Sequence, residues 1–127
     1  MNDLNIPGTQ STPTVISDSA AGVLRMSGDS YPENSFEFFN EIIAWVENYL
    51  ETSDGPLRVE LRLVYMNTSS VRAMLDILDL LEIAHGKGRE IRLDWFYDQR
   101  NERVVYLAAE FKEDCTFPFN ITQEEPA

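Results

Sequence analysis

The spacing of apolar residues changes repeatedly along the chain, and each change marks an element. Short runs near Pro13–Ser17 and Val23–Ser27 read as strands, joined by a turn through Asp18-Ser19-Ala20-Ala21-Gly22. Gly28 to Pro32 reads as a loop. From Asn34 the period lengthens: Phe39, Ile43, Val46 and Leu50 recur at helical spacing, broadened by Phe38, Ile42, Trp45 and Tyr49. Asn34-Ser35-Phe36-Glu37 fits a capping box, and Ser53-Asp54-Gly55-Pro56 stops this helix. Leu57, Val59, Leu61, Leu63 and Tyr65 then alternate with Arg58, Glu60 and Arg62, the signature of a strand with one face in the core. After Thr68 a second helix carries Val71, Met74, Leu75, Leu78 and Leu81, widened by Ile77, Leu80 and Ala84. Its polar stripe of Arg72, Asp76, Asp79 and Glu82 is narrow, and His85-Gly86-Lys87-Gly88 ends it.

Ile91, Leu93, Trp95 and Tyr97 alternate with Arg92 and Asp94 in a further strand. A third helix from about Asn101 places Val104, Leu107, Ala108 and Phe111 on one side, and Cys115 to Ile121 adds a strand that Pro118 restricts to an edge or a bulge. The order ββαβαβα(β) contains strand–helix–strand crossovers, which need partly parallel pairing and right-handed connections. Polar residues on one face of the central strands put the helices mainly on the other. The expected fold is a single α/β domain over 13–121, a mixed sheet of about four or five strands with helices mainly on one face. Residues 1–12 are expected as a flexible arm and 122–127 as a flexible tail.

Composition narrows the function. Among 127 residues, 22 acidic against 10 basic side chains give a formal charge of −12, which disfavours nucleic acid and anionic membranes as partners. No apolar run reaches membrane-spanning length and no signal peptide is visible, so a cytoplasmic protein is expected. Cys115 is the only cysteine, and no disulfide or cysteine-rich zinc site can form within the chain. His85, the single histidine, sits in a last helical turn; Gly86-Lys87-Gly88 lacks the phosphate-loop pattern; Glu110, Glu113 and Asp114 read as a solvated face. A non-enzyme without cofactor or metal is expected. Arg58, Glu60, Arg62, Arg92 and Asp94 read as a lattice of paired charges, with an anion site on the three arginines as the rival reading.

The one stretch with unusual chemistry is Met66-Asn67-Thr68-Ser69-Ser70, an amide and three hydroxyls between a strand and the longest helical pattern. These residue types cap helix N-termini, and a cap is one reading. The other is a hydroxyl held at the positive end of a helix dipole, where an added phosphate is well accommodated and where Arg72, one turn on, is a weak partner for it. On that reading Met66, Asn67, Thr68, Ser69, Ser70 and Arg72 form the partner-binding surface and Thr68 is the phosphoacceptor.

The same stretch resembles the phosphorylation segment of STAS domains, as in anti-sigma-factor antagonists, although that pattern has Asp where Asn67 stands and Gly where Ser70 stands. A longer resemblance runs through Ile6-Pro7-Gly8-Thr9-Gln10-Ser11-Thr12-Pro13, Gly28-Asp29-Ser30-Tyr31-Pro32-Glu33-Asn34-Ser35, Leu61-Arg62-Leu63, Arg100-Asn101-Glu102-Arg103, and Glu113-Asp114-Cys115 before Phe117-Pro118-Phe119. Those runs resemble the SiaC family, STAS-like phosphoproteins of a bacterial biofilm-regulating network. The resemblance implies a kinase that phosphorylates Thr68, a metal-dependent phosphatase that reverses it, and a diguanylate cyclase that the unphosphorylated protein binds and activates. An anti-sigma-factor antagonist is the alternative it leaves open.

Overall fold

The computed structural model describes residues 2–124. Its order is β1 (Asn5–Ile6), β2 (Thr14–Asp18), β3 (Val23–Ser30), α1 (Ser35–Thr52), β4 (Leu57–Met66), α2 (Thr68–Gly86), β5 (Ile91–Asp98), α3 (Arg103–Glu113) and β6 (Phe119–Glu124). The six strands form one sheet in sequence order, antiparallel through β1, β2 and β3 and parallel from β3 to β6. Each crossover from β3 onward steps the same way across the sheet. Right-handed connections therefore put all three helices on one face.

That face holds the core. Leu24, Met26, Leu57, Val59, Leu61, Leu63, Leu93 and Trp95 rise from the strands to meet Phe39, Ile42, Val46, Met74, Ile77, Leu81, Ala108 and Phe111 from the helices. The other face is uncovered, and its charges are paired. Arg25 and Arg58 both bond Glu60, at 3.0 and 2.8 Å, and Arg92 bonds Asp94 at 3.0 Å. Arg62 reaches across Phe96 to Glu124, with its guanidinium 4.4 Å from the ring centre. The three arginines considered as an anion site are thus each engaged with a carboxylate. Burial by itself would raise the Glu60 carboxyl, but its bonds to Arg58 and Arg25 outweigh burial and hold it below the ordinary 4.5. A depressed carboxyl stabilises the fold above its unfolded value and loses that contribution as pH falls through the folded one. Acid titration by circular dichroism should therefore show stability falling below about pH 4.5, and Glu60→Gln should flatten that limb.

Several features depart from the sequence reading. The sheet has six strands, more than the four or five expected. Part of the expected N-terminal arm is attached: Asn5 and Ile6 pair with Ile16 and Val15, and Asp3 accepts bonds from Ser17, Ser19 and the Trp45 indole. At the other end β6 continues through Glu124, so only 125–127 of the expected tail, with Met1 of the arm, lie outside the described residues.

A further departure shapes the site. Gly28 (φ +112) pairs with Leu63 but Asp29 pairs with Tyr65, leaving Val64 unmatched as a bulge. One extra residue reverses which side chains face the core. Tyr65, expected beside Leu63 in the core, is 54% exposed, and Met66 takes the inward position at 7%.

Candidate functional site

The bulge delivers the chain to the head of α2, at the edge of the sheet where the parallel strands end and the helices begin. The Asn67 amide N–H donates to the Ser30 carbonyl at 2.9 Å, tying the junction to the end of β3. The Asn67 side chain then caps the helix, its Oδ1 accepting the Ser70 amide N–H at 2.9 Å. The cap reading is therefore right as far as it goes, and Asn67 carries it.

The three hydroxyls that follow have different fates. Ser70 is sealed: its Oγ lies 2.8 Å from Ser30 Oγ and donates to the Ser30 carbonyl at 3.1 Å, with both residues fully buried. Ser69 is exposed but engaged, 2.7 Å from Ser35 Oγ and 3.3 Å from Asn67 Oδ1. Thr68 is exposed, and among the described residues its hydroxyl has no hydrogen-bond partner. It occupies the first turn of a helix that has no acidic residue there, so the favourable position for negative charge is unfilled. Arg72 is exposed one turn on and forms no ion pair among the described residues.

Two of the residues expected on the partner-binding surface are buried. Met66 is turned inward by the bulge, and Ser70 faces inward from the third helical position, where Ser30 satisfies it. Asn67, Thr68, Ser69 and Arg72 remain accessible to differing degrees. The serine pairs instead clamp three elements: Ser30 ends β3, Ser35 begins α1, and Ser69 and Ser70 belong to α2. Ser70→Ala would strand the buried Ser30 hydroxyl, and urea unfolding should register a loss of about 1–3 kcal/mol.

Cys115 and His85, the lone cysteine and histidine, both sit against neighbouring groups. The Cys115 thiol donates to the Phe111 carbonyl at 3.3 Å, and burial followed by the nearby carboxylates pushes its pKa up to about 11. His85 packs edge-on against Phe117, and among the described residues no group of three or more His, Cys, Asp or Glu is placed to hold a metal.

Comparison with known proteins gives this geometry a context. The model of the family described as "SiaC family regulatory phosphoprotein" matches residues 6–124. The chain belongs to the SiaC family. A protein of Pseudomonas aeruginosa strain UCBPP-PA14 is 61% identical over 121 residues, covering 95% of this chain and 96% of its own length. The solved structure of SiaC from P. aeruginosa superposes with a TM-score of 0.93 at 57% identity, covering 98% of this chain and all (100%) of that one. SiaC in the crystal structure of its complex with the diguanylate cyclase SiaD, whose activator it is, gives a TM-score of 0.94 at 60% identity, covering 96% and 100%. The six-stranded sheet with three helices is thus the fold of SiaC. Among the described residues no helix is long and apolar enough to cross a membrane.

Proposed function

We propose that this SiaC-family protein is a phosphorylation-controlled regulator whose unmodified form binds and activates a diguanylate cyclase. Phosphorylation of Thr68 by a serine/threonine kinase releases the cyclase, and a metal-dependent phosphatase restores the active form. The observation that carries the reading is the state of Thr68: an exposed hydroxyl at the head of α2 with no hydrogen-bond partner among the described residues, in a chain of the same family and fold as a cyclase activator.

A phosphothreonine adds roughly −1.5 to −2 charge at a helix N-terminus, where the dipole and free N–H groups accommodate it, so the fold is unaffected. A partner packed over Thr68 would instead have to bury a dianion with no matched cation, at a cost on the order of several kcal/mol. Since about 1.4 kcal/mol is tenfold in affinity, part of that cost suffices for release. Arg72 is exposed, and an exposed pair offsets little of it. In this reading the protein is not an enzyme; it acts in the cytoplasm, where the cyclase and kinase find their nucleotides. No observation favours the anti-sigma-factor antagonist.

Incubation with the cognate kinase and ATP, followed by phosphopeptide mapping, tests the assignment. The modification is expected on Thr68, and phosphate chiefly on Ser69 or Ser70 would overturn it.

A further inference from the structure

The sheet face that carries no helix holds four of the chain's ten basic residues, in a protein whose formal charge is −12. Arg25 on β3, Arg58 and Arg62 on β4 and Arg92 on β5 surround the buried carboxylates of Glu60 and Asp94. The carboxylates lie beneath and the guanidiniums above. The four arginine side chains are 39–58% exposed, while those of Glu60 and Asp94 are 8% and 9% exposed, so an approaching group meets guanidinium first. Arg25 donates to Glu60 through Nε and Arg58 through Nη2, and Arg92 holds Asp94 through Nε and Nη2. Each of these three keeps N–H donors that no acceptor among the described residues takes.

The fold alone explains this arrangement poorly. Register sets Arg58 directly opposite Arg92 and Glu60 directly opposite Asp94, two like-charge pairs side by side. Like charges facing each other on neighbouring strands destabilise a sheet, exposed ion pairs contribute roughly 0–1 kcal/mol each, and a solvated sheet face needs only polar residues. A carboxylate arriving from outside would relieve the Arg58–Arg92 repulsion. The chain shows that chemistry once itself: Glu124, half-exposed at the end of β6, accepts bonds from Nε and Nη2 of Arg62 on this same face. Arg58 and Arg92 have no such outer carboxylate. They border a cavity of about 430 Å³ at the start of β4 and β5, walled by Gly22, Pro56 and Pro118 and also lined by the exposed Glu90.

We infer that the uncovered sheet face docks an acidic segment of a partner protein, with its carboxylates seated on Arg25, Arg58 and Arg92. A segment fits better than a small anion because the free donors are spread out. Neighbouring strands lie about 4.8 Å apart and same-face residues along a strand about 6.7 Å apart, close to the spacing of alternate side chains in an extended peptide. Arginine is also enriched at protein–protein interfaces. The net charge of −12 repels a long polyanion such as nucleic acid. This face lies across the sheet from the helices, so the inference goes beyond the cyclase reading and does not depend on it.

The test titrates the full chain into fluorescein-labelled octaglutamate and follows fluorescence anisotropy. It is run at about 0.01 M salt, where charges act over roughly 30 Å, and again at about 0.15 M. Saturable binding at low salt that weakens at the higher salt is expected. Arg58→Gln/Arg92→Gln should weaken it about tenfold or more, and Arg25→Gln, which leaves Glu60 its bond to Arg58, about threefold. Arg103→Gln/Lys112→Gln removes the same two charges from α3, where neither residue forms an ion pair among the described residues, and should bind within about twofold of wild type. Circular dichroism checks that each variant is folded; should the sheet double variant unfold, Arg25→Gln decides. No saturable binding by wild type at low salt, equal losses from the sheet and α3 variants, or inorganic pyrophosphate binding as tightly as the peptide would each overturn the inference. None of these results bears on the cyclase reading, because the assay contains no cyclase.

Discussion

Thr68→Ala is expected to bind and stimulate the cyclase about as well as wild type, and Thr68→Asp to bind it roughly a hundredfold more weakly. The asymmetry follows from what each change does at an apolar contact. Alanine removes a hydroxyl that has no partner among the described residues, so nothing buried is stranded. Aspartate puts a charge where the partner must exclude water, and about 2–3 kcal/mol of uncompensated desolvation gives that factor. The fold should tolerate the charge. The first turn of α2 has no acidic residue, and an acid there contributes roughly 0.3–1 kcal/mol in favour of the helix. Thr68→Asp should accordingly melt within a few degrees of wild type. Arg72→Gln should alter the contrast only slightly, because the block comes from desolvation and not from a new ion pair. Equal binding by Thr68→Asp would contradict the mechanism, and a lost circular dichroism spectrum would mean that Thr68 is structural.

Gly22→Ala is expected to be the most damaging single substitution among the glycines, at about 3–5 kcal/mol. Gly22 closes the β2–β3 turn at φ +71, a conformation that disfavours any residue with a Cβ. Its surroundings make matters worse. An added Cβ would meet the Pro56 carbonyl oxygen, a backbone atom that cannot swing aside, and would lie 2.6 Å from the Tyr49 hydroxyl. That hydroxyl donates to the same Pro56 carbonyl at 2.7 Å, and the Gly22 carbonyl accepts the Arg58 amide N–H at 2.8 Å. The substitution therefore strains the turn, separates the α1–β4 connection from β3 and strands a buried hydrogen-bonding pair. Gly86→Ala is the control: it lies at the end of α2 without a positive φ, nothing approaches within 4 Å of its added Cβ, and a gain of about 0.5–1 kcal/mol is expected. Urea unfolding distinguishes the two, and a Gly22→Ala protein within 1 kcal/mol of wild type would contradict the packing described, whose strain alone costs about that much.

Much of this architecture is legible in the residues, for reasons that also mark where legibility ends. Periodicity exposes α1, α2 and α3 because each has an apolar face several turns long, and Asn34 and Asn67 announce two helix starts by their capping chemistry. The polar alternation of β4 and β5 reveals that one sheet face is uncovered. β1 is invisible because two residues carry no period, and only the pairing of Asn5 and Ile6 with β2 defines it. The bulge is hidden for a different reason. Leu63, Val64, Tyr65 and Met66 are consecutive and all large and apolar, so a switch of face within them leaves no mark in the pattern. That one switch moved Met66 from the expected surface into the core and brought Tyr65 out. At the site, Thr68 stands out in the chain, but the partners that silence its neighbours do not. Ser30 lies 40 positions from Ser70, and Ser35 lies 34 from Ser69. Local reading singles out Thr68 by its place at the junction, and only the fold shows that Ser70 is sealed and Ser69 engaged while Thr68 has no partner among the described residues.

The central claim is that the phosphate on Thr68, and nothing else, separates the cyclase-binding form from the silent one. Its most direct test is a pair of calorimetric titrations into the purified cyclase: the untreated chain, and the same chain phosphorylated to completion by its kinase and confirmed by mass. The account predicts saturable binding by the untreated chain, loss of that binding on phosphorylation, and full recovery after phosphatase treatment. Equal or tighter binding by the phosphorylated chain would contradict it.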